Sequence, residues 1–350
     1  MFRVFEGSTA DEVWAKAASA FRRGDGTDQS SRAGDTRELL HSAMSISNPI
    51  QRWVISRVPA INPAFAIAET IWIMTGRNDS AFLNYFNRRL PEYAGHGDTY
   101  HGAYGYRLRH HFGIDQIERA YQALNSKPHT RQVTLQIWDS RIDLPSPTGQ
   151  EASPDIPCNV ASILKVRRGR LEWMQILRSN DLYRGLPYNI VQFTTLQEIL
   201  AGWLGIGVGE YNQISNSLHV YARDLPRIEK ASLTGSLADV RNTDSLTLPK
   251  DESEKSFAQL SENVQTIIDQ RISAEALMLN VRRVSLGQAF RNMLCVLSAE
   301  GSRRRGSVDI AREIMAECSN PVYKVLFDRW LDRVLGNSKP LSEQNDRVMV

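Results

Sequence analysis

Apolar and polar positions alternate through the middle of the chain and follow a helical pattern toward its end. The alternating, β-branched segments that predict strands are 131–138, 159–166, 170–178, 209–215 and 217–221. The longer apolar runs that predict buried helices are 63–75 and 190–203. Residues 38–46 have no single period, and residues 52–58 fit a strand. We therefore expect an α+β protein with a large mixed sheet covered by helices.

The pattern changes near residue 224, and this change predicts the domain organisation. Residues 1–232 carry the mixed sheet. Residues 233–253 are polar and rich in turn-forming residues, as in a linker or an excursion. Residues 254–335 are almost wholly helical in pattern, and residues 336–350 are predicted to be a flexible tail.

Composition and charge exclude several classes of protein. Of the 350 residues, 42% are hydrophobic and 23% are charged, and the net charge of +3 gives no general case for nucleic acid or membrane partners. The three cysteines form neither a disulfide framework nor a metal-ligand spacing, and Cys295 and Cys318 lie on helical patterns that suit packing. The N-terminus lacks the order of a signal peptide. We expect a cytoplasmic protein that binds no metal.

The remaining cysteine has neighbours that suit a nucleophile. Cys158 follows Pro157. Arg178 ends the predicted strand 170–178, and Ser179 comes directly after it. A cysteine reacts as the thiolate, and a nearby guanidinium favours that form. Arg178 and Ser179 also suit a phosphate group, and Asn189 offers a hydrogen-bond donor and an acceptor together. The sequence therefore predicts a nucleophile beside a nucleotide pocket.

Three further residues have two interpretations each. Glu69 lies in the middle of an apolar helix, where a carboxylate serves either a structural ion pair or acid–base chemistry. Arg32 lies in a Gly- and Ser-rich loop, 24–34, either as a surface charge or as an arginine that closes over a phosphate. Tyr104 follows a Gly- and His-rich loop and is either a packing residue or a ligand-facing one.

Five motifs in order resemble those of the thymidylate synthase family, which includes the pyrimidine nucleotide hydroxymethylases. The motifs are Glu69-Thr70-Ile71-Trp72 with Gly76, Tyr104-Gly105, Pro157-Cys158, Arg178-Ser179-Asn180-Asp181 with Gly185-Leu186-Pro187-Tyr188-Asn189, and His219-Val220-Tyr221. Each motif is weak alone, and the ordered set is specific. The resemblance implies the family's three-layer fold, with 1–232 as its catalytic domain and a divergent helical C-terminal region.

The resemblance implies one-carbon transfer to carbon 5 of a uracil nucleotide. The Cys158 thiolate adds to carbon 6, and carbon 5 then attacks the methylene carried by 5,10-methylenetetrahydrofolate. Reduction of that methylene converts dUMP to dTMP. In the first alternative, a 5-hydroxymethylase, water captures the methylene instead. The second alternative is a non-catalytic nucleotide-binding or regulatory protein on the same fold.

The resemblance also implies a role for each matching residue. The implied catalytic residues are Cys158, Glu69, Tyr104, Arg178 and Asn189, of which Asn189 selects uracil. The implied substrate-binding residues are Arg32, Arg131, Arg178, Ser179, Asn189, His219 and Tyr221. The implied folate contacts are Asp181 and Trp72. Because the family works as a homodimer, we expect Arg131 to reach the phosphate bound by the partner subunit.

The chain departs from the family pattern on the folate side. The residue after the nucleophile is Asn159, where the family has histidine. The tryptophans that line the family's folate site are absent, and this segment contains Phe82 and Phe86. The family's closing tail is not recognisable. These departures affect whether hydride or water captures the methylene group, because a folate site that stays open to solvent admits water.

Overall fold

One sheet of eight strands forms the centre of the protein. The computed structural model describes residues 2–229 and 239–336. The strands are β1 (Arg3–Gly7), β2 (Thr27–Gln29), β3 (Thr36–Ile46), β4 (Thr134–Gln136), β5 (Asn159–Arg167), β6 (Arg170–Leu177), β7 (Asn180–Asp181) and β8 (Gly207–Tyr221). Their order is β1-β3-β8-β6-β5-β4, with β2 paired to β3 and β7 paired to β8. Parallel and antiparallel pairs both occur, so the predicted α+β fold with a large mixed sheet is confirmed.

Helices fill most of the sequence between and after the strands. The helices are α1 (Ala10–Arg22), α2 (Pro63–Met74), α3 (Ser80–Phe86), α4 (Pro91–Ala94), α5 (Tyr104–Tyr106), α6 (Gln116–Ser126), α7 (Ser140–Asp143), α8 (Leu186–Trp203), α9 (Leu225–Glu229), α10 (Lys250–Ile268), α11 (Ala274–Arg283), α12 (Gln288–Arg304), α13 (Val308–Ala316) and α14 (Pro321–Gly336). A π-helical turn, Arg107–His111, follows α5. Across the described ranges, none of these helices combines the length and the apolar character that a bilayer span requires.

Helices cover one face of the sheet. On that face Leu164, Trp173, Tyr211 and Ile46 stand side by side on four strands, and all four are buried. α8 and α1 pack against the sheet, α2 packs on α8, and α10, α12 and α14 pack on α2. Because buried apolar surface contributes roughly 25 cal/mol per Å², this stacking of layers holds the sheet in place. The layers match the three-layer fold that the family resemblance implies.

The other face of the sheet is partly exposed. Ala161, Ile176, Ile214, Ala43 and Val4 stand side by side across five strands on that face. None of the five is buried, and Val4 is 57% exposed. We call this row the open-face row. A contiguous apolar surface of this kind is typical of a protein–protein contact.

The helices from α10 onward share the core of the sheet-bearing part. Phe257 of α10 and Phe290 of α12 meet edge to face, with ring centroids 5.2 Å apart. Arg304 of α12 donates a hydrogen bond of 2.9 Å to the carbonyl oxygen of Phe86 in α3. The predicted helical character of 254–335 is confirmed. The domain boundaries stay predictions, and the predictions for 233–238 and for the tail after 336 lie outside the described residues.

The expected strand at 52–58 is wrong. Trp53, Val54 and Ile55 are buried in the core, but their backbone pairs with no strand in the described ranges. Three consecutive apolar residues can be buried on all sides by helices, and their composition does not distinguish that burial from a sheet.

Residues 38–46 belong to β3, a long strand that their sequence pattern does not reveal. His41 has a φ of 55° and interrupts the ladder with β8, but no residue is inserted, because Leu40 faces Ser217 and Ser42 faces Ser215 in one unchanged register. The buried side of β3 changes at this kink, since Leu39 is buried before it and Ser42 and Met44 are buried after it. The kink therefore explains why the segment has no single period. Downstream, the two strands predicted at 209–215 and 217–221 are one continuous strand, β8.

Candidate active site

Cys158 lies at the end of a loop that is held by hydrogen bonds from Arg178. The backbone N–H of Arg178 donates to the Cys158 carbonyl oxygen at 2.9 Å. Its side chain donates from Nε to the Pro157 oxygen at 2.9 Å and from Nη2 to the Ile156 oxygen at 3.1 Å. Burial raises the pKa of the Cys158 thiol, and the Arg178 charge opposes that rise. Arg178 therefore holds the Cys158 loop by its backbone, and its predicted role toward the thiol stays a prediction.

Arg32 reaches the same loop from the other side. It pairs with Glu151 and donates from Nη2 to the Pro154 oxygen at 3.1 Å. Its charge also lowers the pKa of Cys158. Arg223 secures the Arg32 loop by donating to the Ala33 oxygen at 2.8 Å. The Arg32 loop therefore contacts the segment that leads to Cys158, and its predicted phosphate role stays a prediction.

Tyr104 and Glu69 enter the pocket from α5 and α2. A Cβ atom at Gly105 would lie 2.5 Å from the Ile73 Cα atom, so only glycine lets α5 approach α2 this closely. Burial raises the pKa of the Tyr104 phenol, and the charges of Cys158 and Glu69 raise it further. The charges of the thiol and the carboxyl thus both reach the phenol.

Glu69 is a carboxyl group without a cationic partner in the described ranges. Burial raises the pKa of Glu69 from 4.5 to about 8, and a hydrogen bond with Gln192 opposes the rise. Its Oε2 atom is buried without a hydrogen-bond partner among the described residues. The structural ion pair considered for Glu69 is therefore wrong, and the carboxyl is poised to exchange protons near neutral pH.

Asn189 presents its amide from the first turn of α8. Its Nδ2 donates to Asn180 Oδ1 at 3.2 Å, and Asn180 Nδ2 donates to Ser215 Oγ at 3.2 Å. In this arrangement the Asn189 nitrogen is the donor toward Asn180. The second Nδ2 hydrogen and the Oδ1 atom remain for a ligand, as one donor and one acceptor side by side.

Asp181 and His219 stand opposite each other on the paired strands β7 and β8. Asp181 Oδ1 accepts hydrogen bonds from the backbone N–H groups of Tyr183 at 2.8 Å and Arg184 at 2.9 Å. Its Oδ2 is buried without a hydrogen-bond partner in the described ranges, and Arg184 Nε lies 4.0 Å from it. Burial raises the pKa of Asp181, and the His219 ring opposes the rise. The Tyr221 ring meets His219 edge to face, with centroids 5.5 Å apart.

Three of the residues predicted for the site lie apart from this cluster or at its edge. Ser179 is half-buried between β6 and β7. Arg131 is exposed ahead of β4, on the surface of its own chain. Trp72 is buried on α2, where its indole N–H donates to the Asp79 oxygen at 3.0 Å. Their predicted roles stay predictions.

Sequence reasoning missed a set of buried amides around the nucleophile. Asn159 and Gln175 are both completely buried, and Gln175 Nε2 donates to Asn159 Oδ1 at 2.9 Å. Gln192 Oε1 and Asn159 Nδ2 have no hydrogen-bond partner among the described residues. Buried polar atoms are almost always paired, so unpaired ones mark where a ligand or water binds. The available signal was a polar residue at an inward position of an apolar strand or helix.

No group of three histidine, cysteine or acidic side chains in the described ranges is placed to hold a metal ion. The groups described above include a thiol, a carboxyl of raised pKa, a phenol and an amide. This set suits nucleophilic addition coupled to proton transfer.

Comparisons with known proteins agree with this chemistry. The family model described as thymidylate synthase matches residues 22–269. A deoxyuridylate hydroxymethyltransferase of Bacillus phage SP01 is 32% identical over 232 residues, which cover 63% of this chain and 59% of the relative. A second deoxyuridylate hydroxymethyltransferase, of Pseudomonas phage M6, is 37% identical over 169 residues, 48% of this chain and 47% of the relative. A putative thymidylate synthase of Methanothermobacter marburgensis is 28% identical over 211 residues, 60% of this chain and 89% of the relative. The chain thus spans about half to three fifths of the length of the two phage relatives.

Proposed function

The chain belongs to the thymidylate synthase family, and we propose that it attaches a hydroxymethyl group to carbon 5 of deoxyuridylate. In this reaction 5,10-methylenetetrahydrofolate, the family's co-substrate, supplies the carbon and water supplies the oxygen. The observation that carries the proposal is the electrostatic link of Cys158 and Glu69 to Tyr104, since the charges of both groups raise the pKa of the phenol. The printed names of the two phage relatives favour the hydroxymethyl product.

Cys158 is the proposed nucleophile. Its thiolate adds to carbon 6 of the pyrimidine, and the electron pair of the ring double bond moves to carbon 5, which becomes nucleophilic. Burial disfavours the thiolate, and the charges of Arg178 and Arg32 favour it. Because both arginines act on this one thiol, the loop geometry supports the role.

Asn189 is proposed to recognise the uracil ring. Its Oδ1 can accept the N3–H of uracil while its free Nδ2 hydrogen donates to the O4 atom. Cytosine presents the opposite pattern at these two atoms, an acceptor at N3 and a donor at N4. The bond from Asn189 Nδ2 to Asn180 supports this choice of base, because it leaves the Oδ1 acceptor and one Nδ2 hydrogen for the ligand.

Glu69 and Tyr104 are proposed to move protons around the ring. The raised pKa of Glu69, about 8, suits a group that both gives and takes a proton near neutral pH. Tyr104 stays a neutral phenol, because burial raises its pKa. It therefore acts through a hydrogen bond, with water between it and carbon 5.

The phosphate is proposed to lie between Arg178, Ser179 and Arg32, with Arg131 of a second subunit. Arg178 uses Nε and Nη2 to hold the cysteine loop, so its Nη1 is left for the phosphate among the described residues. Arg32 would exchange Glu151 for the phosphate. His219 and Tyr221 are proposed to contact the sugar.

The open-face row supports the homodimer. Its five apolar side chains, centred on Ile214, form a flat surface that a second copy of the chain can cover. A two-fold contact through this face would bring strands of both sheets together. Arg131, exposed and outside its own pocket, would then be free to serve the other subunit.

Asp181 and Trp72 are proposed to contact the folate. The buried Oδ2 atom of Asp181 is an acceptor without a hydrogen-bond partner in the described ranges, which fits the N–H donors of a pterin ring. The Trp72 indole N–H is already bonded to Asp79, so this residue would offer only the apolar part of its ring.

Product analysis tests the proposal. The chain is incubated with dUMP tritiated at carbon 5 and with methylenetetrahydrofolate, and the products are separated by mass. Hydroxymethyl-dUMP with tetrahydrofolate is the expected result. The second candidate is methyl transfer, favoured by the printed name of the archaeal relative, and it yields dTMP with dihydrofolate. If no pyrimidine nucleotide releases tritium from carbon 5, both reactions are refuted.

A further inference from the structure

A buried chain of hydrogen bonds fixes the orientation of the amide next to the nucleophile. It begins at Trp173, whose indole Nε1 can only donate. Trp173 Nε1 lies 3.1 Å from Gln175 Oε1, and Ser162 Oγ donates to the same oxygen at 2.6 Å. Because the atom facing the indole must be an acceptor, the Gln175 amide has one possible orientation. Its nitrogen points the other way, toward Asn159.

The orientation of Gln175 determines that of Asn159. Gln175 Nε2 donates to Asn159 Oδ1 at 2.9 Å, so the oxygen of Asn159 is engaged and its nitrogen faces away from Gln175. Asn159 is completely buried, and its Nδ2 has no acceptor among the described residues. A buried N–H donor without a partner is costly, so this atom is placed to bond something that enters the pocket.

The phenol of Tyr104 interacts with the Asn159 side chain. Hydrogen bonding with the Asn159 side chain lowers the pKa of Tyr104 against the effect of burial, so the two groups lie close together. Asn159 Nδ2 nevertheless makes no well-formed hydrogen bond to an acceptor among the described residues. Two polar groups that interact across more than about 3.5 Å are often joined by a water molecule. Asn159 also follows Cys158 directly in the chain. Tyr104 is proposed to act on carbon 5 through water, so the Asn159 side chain next to this phenol would lie on the same side of the ring.

We propose that Asn159 Nδ2 holds the water molecule that adds to the methylene group on carbon 5. The proposal rests on the proposed function and assigns Asn159 as its positioning residue. An N–H donor bonds a lone pair of the water oxygen and turns both water hydrogens away from itself. One of these hydrogens then faces the Tyr104–Glu69 side of the pocket, and the second oxygen lone pair faces the carbon.

The step balances without a further reactant. The water oxygen bonds the exocyclic methylene carbon, and the electron pair of the carbon 5–methylene double bond moves into the ring as an enolate. The proton lost by the water passes to the Glu69 carboxylate and from there to solvent. The enolate pair then re-forms the double bond between carbons 5 and 6 as the Cys158 thiolate leaves. No hydride donor takes part.

A competition experiment tests this role. The full chain is incubated with tritiated dUMP, methylenetetrahydrofolate and a fixed concentration of 2-mercaptoethanol, which competes with water for the methylene. Tritium release counts the protons lost from carbon 5, and the ratio of hydroxymethyl product to thioether measures the water step. We expect Asn159→Asp and Asn159→Ala to lower this ratio about ten-fold, which corresponds to about 1.4 kcal/mol, while tritium release continues. Asn125→Asp, the same change at an exposed position of α6, should leave the ratio unchanged.

The outcomes separate the inference from the proposed function. A ratio within about two-fold of the wild type in either folded variant overturns the role of Asn159. Loss of tritium release in a folded variant also overturns it, because Asn159 would then act before the water step. If circular dichroism shows that neither variant folds, Gln175→Met provides the second test of the same role. This change leaves the Asn159 amide free to turn and should lower the same product ratio. A wild-type chain that releases no tritium refutes the proposed function itself.

Discussion

Replacing Glu69 with glutamine gives a direct measurement of the unusual carboxyl group. The pKa of Glu69 rises from 4.5 to about 8 because burial disfavours the charged form. One pKa unit corresponds to about 1.4 kcal/mol, so ionising Glu69 in the native state costs at most about 5 kcal/mol more than in the unfolded chain. Glu69→Gln keeps the shape of the protonated acid and removes the ionisation.

The direction of the pH dependence follows from these values. The unfolded chain loses the Glu69 proton near pH 4.5, while the native state keeps it up to about pH 8. Between these values the native state binds more protons, so the free energy of unfolding falls by up to about 1.4 kcal/mol per pH unit. Above about pH 8 both states are ionised and this contribution stops changing. The glutamine variant lacks it at every pH.

Urea unfolding of the wild type and of Glu69→Gln at pH 5, 6, 7 and 8 measures the effect. The difference between the two free energies of unfolding should shift steadily in favour of glutamine as the pH rises. Glu210→Gln, the same change at an exposed position of β8, controls for the loss of a surface carboxylate. A difference for Glu69→Gln that stays constant from pH 5 to pH 8 would refute the raised pKa and the proton-transfer role built on it.

Four further substitutions test other parts of the site and fold. Cys158→Ser should abolish tritium release from carbon 5 of dUMP, and surviving release would exclude this thiol as the nucleophile. Asn189→Asp should lower turnover of dUMP by at least about 100-fold and favour dCMP, as measured by tritium release from each nucleotide; an unchanged preference would contradict the uracil contact. Gly105→Ala should destabilise the protein by about 1–3 kcal/mol in urea unfolding, because its Cβ would lie 2.5 Å from Ile73 Cα; equal stability would show that α5 can shift. Ile214→Lys should convert a dimer to a monomer in sedimentation experiments, and a wild type that is already monomeric at micromolar concentration would refute the open-face contact.

The sequence was most informative where the chemistry lies in short contiguous runs. Cys158, Arg178 and Asn189 belong to such runs, and each is recognisable from its immediate neighbours. The strand β3 was not recognisable, because its buried side changes at the His41 kink halfway along. A pattern method assumes one period for each segment, and a local kink breaks that assumption.

The buried amides were invisible for a different reason. Gln175 and Asn159 are neighbours only because β5 and β6 pair antiparallel in one particular register. Gln192 meets Glu69 only because α8 packs on α2. Such contacts join residues that are distant in sequence, so residue type alone gives no partner. A sequence without its fold can name the nucleophile but cannot orient the amide beside it.

Arginines of α14, the last helix in the described ranges, donate hydrogen bonds to backbone carbonyl oxygens of a segment beside the site. Arg329 of α14 donates to the carbonyl oxygens of Ile55 and Arg57, and Arg333 donates to that of Ala60 at 3.1 Å. These oxygens belong to the irregular segment 52–60 that the sequence pattern predicted as a strand in part. Both arginines lie outside the residues 22–269 that match the family model.

The segment held by α14 in turn holds the turn after Asp181. Arg57 Nε donates to the Tyr183 oxygen at 2.7 Å, and the Tyr183 hydroxyl donates to the Val58 oxygen at 3.1 Å. The backbone N–H of Tyr183 is one of the two groups that fix the Asp181 carboxylate. A carbonyl in an irregular segment needs a donor from elsewhere, and α14 supplies donors to this one. Helices outside the matched residues therefore help to set the geometry of Asp181, the residue proposed to meet the folate.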